Sequence, residues 1–142
     1  MLKAPQNSQI FGDSDLQYKD STFSGYKKTQ VYQQLKKSIL KSEIDKACFW
    51  ASELDVSCFT LELWSKLIIF ACKEINYANP NLPTYLYKRY KEMLGKSLKW
   101  SKTEMRNSQE LRNRLCEIVC IMCLSSKNKF HSALKITLPK KL

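Results

Sequence analysis

Apolar residues recur at intervals of three and four through the middle of the chain, the period of helices that bury one face. Val31, Leu35 and Ile39, with Tyr32 beside them, predict a first helix from Thr29, read as its cap, to Leu40. Ser42 then reads as the cap of a second helix ending near Leu54. Its inner side holds Ile44, Ala47, Cys48, Ala51 and Leu54, and Phe49 and Trp50 widen the apolar face. Thr60 opens a third helix with Glu62 in its first turn and a broad stripe of Trp64, Leu67, Ile68, Ala71, Cys72 and Ile75; Phe70 makes it nearly central. The turn Asn79-Pro80-Asn81-Leu82-Pro83 stops it. Pro83 suits the first turn of a fourth helix to about Lys99, striped by Tyr85, Leu86, Tyr90, Met93 and Leu94. Residues 100–107 read as a polar connection. A fifth helix follows from Ser108 to Ser125, with Leu111, Leu115, Ile118, Val119 and Met122 inward.

The expected fold is therefore all-α: a single bundle of about five helices over residues 29–126, preceded by an irregular arm (1–28) and followed by a basic tail (127–142). Phe11, Tyr18, Phe23 and Tyr26 stud the arm, which suits packing on the body or on a partner as well as a loose tail. With 142 residues, 44% of them hydrophobic, and only three glycines and four prolines, the chain has material for one helical core and little for turn-rich β structure.

Charge changes this picture. Residues 1–86 carry 10 basic and 9 acidic side chains, whereas residues 87–142 carry 14 basic and 4 acidic. Almost all of the net +11 therefore lies in the later part, a field that draws polyanions, nucleic acid the commonest among them, though an anionic membrane or an acidic protein would answer the same field. Lysine outnumbers arginine 20 to 4, which suits neutralising phosphates more than reading bases. No zinc finger, homeodomain or RNA-recognition motif is visible.

The candidate chemistry is thin. Gly95-Lys96-Ser97 matches the end of a phosphate-binding loop, but Tyr90 stands where that loop needs glycine, and no strand precedes it. Cys116, Cys120 and Cys123 have the spacing of an iron–sulfur ligand set. They fall at i, i+4 and i+7 of an apolar helical stretch, which predicts small core residues instead. His131 is the only histidine, so a triad or histidine zinc site lacks partners. Glu43, Asp45, Glu53, Asp55, Glu62 and Glu74 read as solvated helix-face charges. The expectation is a non-enzyme with no cofactor, no metal and no small-molecule substrate. Six cysteines without a secretory leader, and no apolar run of membrane-spanning length, predict a reduced, intracellular (cytoplasmic or nuclear) protein with no membrane partner.

Three blocks carry a family resemblance. Asp45-Lys46-Ala47-Cys48-Phe49-Trp50-Ala51-Ser52-Glu53-Leu54 resembles a D-x-A-x-[YF]-W-x-x-x-L stretch. Trp64-x-x-Leu67-Ile68-Ile69-Phe70-Ala71, running into Ile75-Asn76-Tyr77-Ala78-Asn79-Pro80, resembles L-x-x-F-A-S-E-D-I-G-x-A-[ND]-P. Leu124-Ser125-Ser126-Lys127-Asn128-Lys129 followed by Ala133 resembles an L-A-x-x-x-K-S-N ending. Together they are similar to the C-terminal, clamp-loader-collar-like domain of the replication-associated recombination protein A (RarA, or MgsA) family, which includes the Werner-helicase-interacting ATPases. The resemblance covers about residues 38–135. It implies a collar-type helical domain that self-assembles and supports DNA engagement. No ATPase module of the family is visible in these 142 residues, so ATP-driven remodelling is not expected to carry over, and Cys72-Lys73-Glu74 replaces the family's acidic S-E-D. More loosely, the chain resembles stand-alone forms of this domain in large DNA viruses, which would allow a virion location.

These lines lead to one expected function: a DNA-associated (or other polyanion-binding) accessory module of replication or recombination, forming a homo-oligomer or part of a larger assembly. Lys88, Arg89, Lys91, Arg106, Arg112, Arg114, Lys127 and Lys129 are the expected phosphate contacts. The alternative is a structural or scaffold protein such as a minor capsid component.

Overall fold

The computed structural model describes residues 18–76 and 78–127. Among them the protein is all-α, with six helices: α1 (Lys28–Leu40), α2 (Ile44–Val56), α3 (Thr60–Glu74), α4 (Leu82–Ser97), α5 (Lys102–Arg106) and α6 (Gln109–Leu124). No helix among these residues is long and apolar enough to cross a membrane.

The apolar stripes meet in one core. Helix α2 lies between α1 and α6, α3 packs on α2, and α4 lays its inner side on α3. Val31, Leu35 and Ile39 of α1 join Ala47, Ala51 and Leu54 of α2, Leu63, Trp64 and Leu67 of α3, and Leu115, Ile118 and Met122 of α6. Alanines at the inward positions of α2 remove the side-chain bulk that would hold its neighbours away. Leu86 and Met93 bring α4 into the same cluster.

The predicted helices form, with instructive differences at their ends. Ser42 does not cap α2. It adopts a left-handed backbone (φ 57°) just after α1. There Glu43 N donates to Ser38 O at 2.8 Å and Ser42 N to Ile39 O at 3.0 Å, the paired bonds of a Schellman stop. Cys58 (φ 67°) does the same after α2, with Phe59 N donating to Leu54 O and Cys58 N to Asp55 O, both at 3.1 Å. Glycine usually fills such positions, and neither stop has one. Thr29 lies inside the first turn of α1, because the helix already starts at Lys28.

The expected connection at 100–107 contains α5. A reciprocal capping box starts it: Glu104 N donates to Ser101 Oγ at 3.1 Å, and Ser101 N to Glu104 Oε1 at 2.9 Å. The Ser108 hydroxyl accepts from Leu111 N at 3.2 Å and opens α6 immediately afterwards.

The described end of the arm packs on its own body. Residues 20–28 fold back on themselves, with Lys28 N donating to Asp20 O at 2.8 Å and Gly25 supplying the turn's positive φ of 91°. Phe23 N donates to Ser57 Oγ at 2.8 Å, and Ser24 N to Glu53 Oε2 at 2.7 Å, which seats the turn on the end of α2. Tyr26 meets Trp50 edge-on at 5.1 Å between ring centroids.

The two tryptophans of the central helices differ in burial. Trp64 is fully buried, whereas Trp50 is half-buried at the edge of the core. Trp64→Ala is expected to cost about 3–5 kcal/mol in urea unfolding, the cost of emptying a large core site, and Trp50→Ala distinctly less. Equal losses for both would contradict this placement.

Candidate functional site

The eight expected phosphate contacts divide by environment. Arg106 has no solvent exposure. Its guanidinium lies against the rings of Tyr18 and Phe23, at 5.9 and 5.8 Å from their centroids. Arg112 reaches inward from α6 to Asp55 at the end of α2, Nε to Oδ2 at 3.2 Å, and also donates to the carbonyl of Arg106. Asp55 is itself buried, and the Thr60 hydroxyl donates to its other oxygen at 2.7 Å. Burial pushes the Asp55 carboxyl above its ordinary range, while Arg112, Thr60 and the more distant Arg106 pull it down. Arg106 and Arg112 therefore bind this chain's own interior and present nothing to a phosphate. Asp55, read from sequence as a solvated helix-face charge, belongs to the same cluster. Glu53 is also buried, held by Ser24.

Arg89 and Arg114 stand at the α4–α6 seam. Arg89 Nη1 lies 3.2 Å from Glu92 Oε1 and Arg89 Nη2 lies 3.9 Å from Glu117 Oε1; Arg114 Nη1 reaches Glu92 Oε1 at 2.7 Å. Lys96 extends the seam to Glu110 at 3.0 Å. Lys127 closes the end of α6, with Nζ donating to Cys123 O at 2.9 Å and Ser125 O at 2.6 Å. Its burial lowers its pKa below the usual lysine range. Lys129 lies outside the described residues.

Lys88 and Lys91 are exposed on the outer side of α4. Lys91 sits over the ring of Tyr87, 5.7 Å from its centroid, and Tyr87 is itself 54% exposed. Leu98, 88% exposed, and the exposed Lys99 and Lys102 continue from the end of the helix. The acids of this half are committed elsewhere. Glu92, Glu110 and Glu117 hold the α4–α6 seam, and Glu104 caps α5. Lys88, Lys91, Lys99 and Lys102 consequently have no ion-pair partner among the described residues.

Gly95 shares this outer side, four residues after Lys91, and a Cβ there would meet nothing within 4 Å. The fold gives no steric reason for glycine at this position.

The cysteines form a different constellation. Cys48 of α2 faces Cys120 of α6 at 3.7 Å between sulfurs, and Ser52 Oγ lies 3.8 Å from Cys116 Sγ. Burial pushes the Cys48 thiol up to about 12, aided by its contacts with Cys120 and Cys116. Cys116, Cys120 and Cys123 lie on a helix, with Cys123 buried and the other two half-buried. No group of three or more metal-ligating side chains is arranged to hold an ion among the described residues. His131 lies outside them.

Sequence reasoning missed a second basic surface. Helices α1 and α3 run side by side in the same direction, joined at one end by Lys28 and Glu62 at 2.9 Å and farther along by Lys66 over the Tyr32 ring at 4.8 Å. Beyond these contacts they enclose an open groove of about 400 Å³ lined by Lys36, Leu40, Lys66, Ile69, Phe70, Lys73 and Glu74. All of it comes from the half of the chain whose charges nearly balance.

No known protein family and no curated protein matches the sequence.

Two outcomes follow from these environments. Asp55→Ala is expected to cost about 3–5 kcal/mol in denaturant unfolding, because it leaves buried guanidinium charge uncompensated, whereas Lys88→Ala changes stability by less than about 0.5 kcal/mol. In timed iodoacetamide labelling at pH 8 the exposed Cys72 reacts first and Cys48 far more slowly, since its thiolate is scarce well below pH 12.

Proposed function

We propose that the chain is a non-enzymatic, DNA-associated helical module that binds the phosphate backbone through the outer face of α4 and the residues just beyond it. The observation that carries this proposal is the partition of charge in the later half. Its acids are spent on the α4–α6 seam and the α5 cap, so the exposed lysines 88, 91, 99 and 102 leave an uncompensated positive field. Tyr87 adds an exposed ring among them, suited to stacking on an unpaired base, and Lys91 already lies against it. The resemblance to the collar-type domain of the replication-associated recombination protein A family supports an accessory role in replication or recombination. It also supports self-assembly.

Relative to the sequence expectation, the contact set moves outward. Lys88 and Lys91 remain, Lys99 and Lys102 join them, and two arginines leave: Arg112 because it pairs with Asp55, and Arg106 because it is fully buried against Tyr18 and Phe23. Lysines without arginine forks bind phosphates without fixing base identity, so the expected binding is sequence-tolerant.

A filter-binding titration at several salt concentrations tests this function. The logarithm of the affinity for duplex DNA should fall with log salt by roughly 0.9 per phosphate contact. Lys88→Glu with Lys91→Glu should weaken binding by about tenfold or more and flatten that slope, without moving the unfolding midpoint. Absence of binding at low salt, or binding indifferent to the double substitution, overturns the assignment.

A further inference from the structure

The groove between α1 and α3 has a chemistry that phosphate binding does not explain. Its floor is apolar: Ile69 is 59% exposed and Leu40 43% exposed, with the Phe70 ring beneath. Its rim carries Lys36, Lys66 and Lys73 against a single carboxylate, Glu74. A nucleic-acid backbone has no use for a branched aliphatic floor. A peptide with an apolar edge and acidic flanks satisfies both features at once.

We propose that this groove docks an amphipathic helix of a partner protein, one whose apolar stripe is flanked by aspartate and glutamate. The dimensions agree. The α3 wall runs from Lys66 to Glu74, about 12 Å of helix, and anchors at i, i+4 and i+7 of a docked helix span about 10 Å. Charge complementarity selects an acidic ligand and disfavours a basic one. It also disfavours a second copy of this chain. Among the described residues, Glu53, Asp55, Glu62, Glu92, Glu104, Glu110 and Glu117 are already engaged in hydrogen bonds or ion pairs, so few free acids remain to face the groove. The site is separate from the α4 face and does not depend on the DNA assignment.

The test uses the full chain and a displayed library of helical peptides with leucines fixed at i, i+4 and i+7 and flanks free to be acidic or basic. Selection should enrich acidic flanks, and a synthetic peptide of the enriched sequence should bind in a fluorescence-anisotropy titration. Ile69→Glu, and separately Lys36→Glu with Lys73→Glu, should each weaken it about tenfold or more, with unfolding midpoints unchanged. Lys88→Glu with Lys91→Glu should leave peptide binding intact even though DNA binding falls, which separates failure here from failure of the α4 assignment. Enrichment of basic or no particular flanks overturns the proposal, as does peptide binding that ignores Ile69→Glu. So does loss of a wild-type dimer in Ile69→Glu by sedimentation, which would make the groove a contact between copies. Loss of DNA binding in the groove variants would equally overturn it, by assigning the groove to nucleic acid.

Discussion

A carboxylate taken out of water must be met by cations and hydrogen-bond donors, and Asp55 imposes that demand at the junction of five segments. It ends α2, receives the hydroxyl that opens α3, and draws Arg112 in from α6. Arg112 in turn donates to the carbonyl of Arg106, the last residue of α5, and Arg106 lies under the rings of the N-terminal arm. Apolar packing alone is tolerant of small shifts between helices, whereas a buried charge has few positions in which it is satisfied. The cluster therefore acts as a register pin for elements that the core would only hold together.

That pin also governs the surface. Two of the chain's four arginines are withdrawn into the interior, Arg112 to balance Asp55 and Arg106 under the rings of the arm, and the other two clamp α4 to α6 with Glu92 and Glu117. Arginine, with its planar fork, serves the interior and the seams; lysine populates the outside. The two basic surfaces are consequently made almost wholly of lysine, and they differ in what lies between the charges. On α4 it is an exposed tyrosine, and in the α1–α3 groove it is an aliphatic floor.

Helical period alone located five of the six helices, because Val31, Leu35, Ile39 and their counterparts keep strict spacing over three or more turns. The ends were harder to read for local reasons. Ser101-Lys102-Thr103-Glu104 is a capping-box sequence visible in advance, yet a helix of five residues is too short to show a stripe. Ser42 and Cys58 take left-handed backbones without being glycine, so no residue type marks those stops. The burial of Asp55 had a signal: it follows Ala47 and Ala51 at intervals of four on the inward side of α2. Its cationic partner, Arg112, lies 57 residues later and could not be paired with it by spacing. The groove was invisible for a similar reason, since Lys36 and Lys73 sit on helices whose individual charges are unremarkable.

The uneven attachment of α4 has a dynamic consequence. Its inner side packs chiefly on α3, and its ties to α6 run through solvent-accessible ion pairs at Arg89, Lys96 and Arg114. Electrolyte weakens such ties and leaves aliphatic contacts almost untouched. As ionic strength rises, the amides of α4 should exchange with solvent sooner than those of α1, α2 and α6, because its remaining hold on the bundle is chiefly the packing on α3. The element that meets the polyanion would then also be the one whose order the surrounding ions adjust.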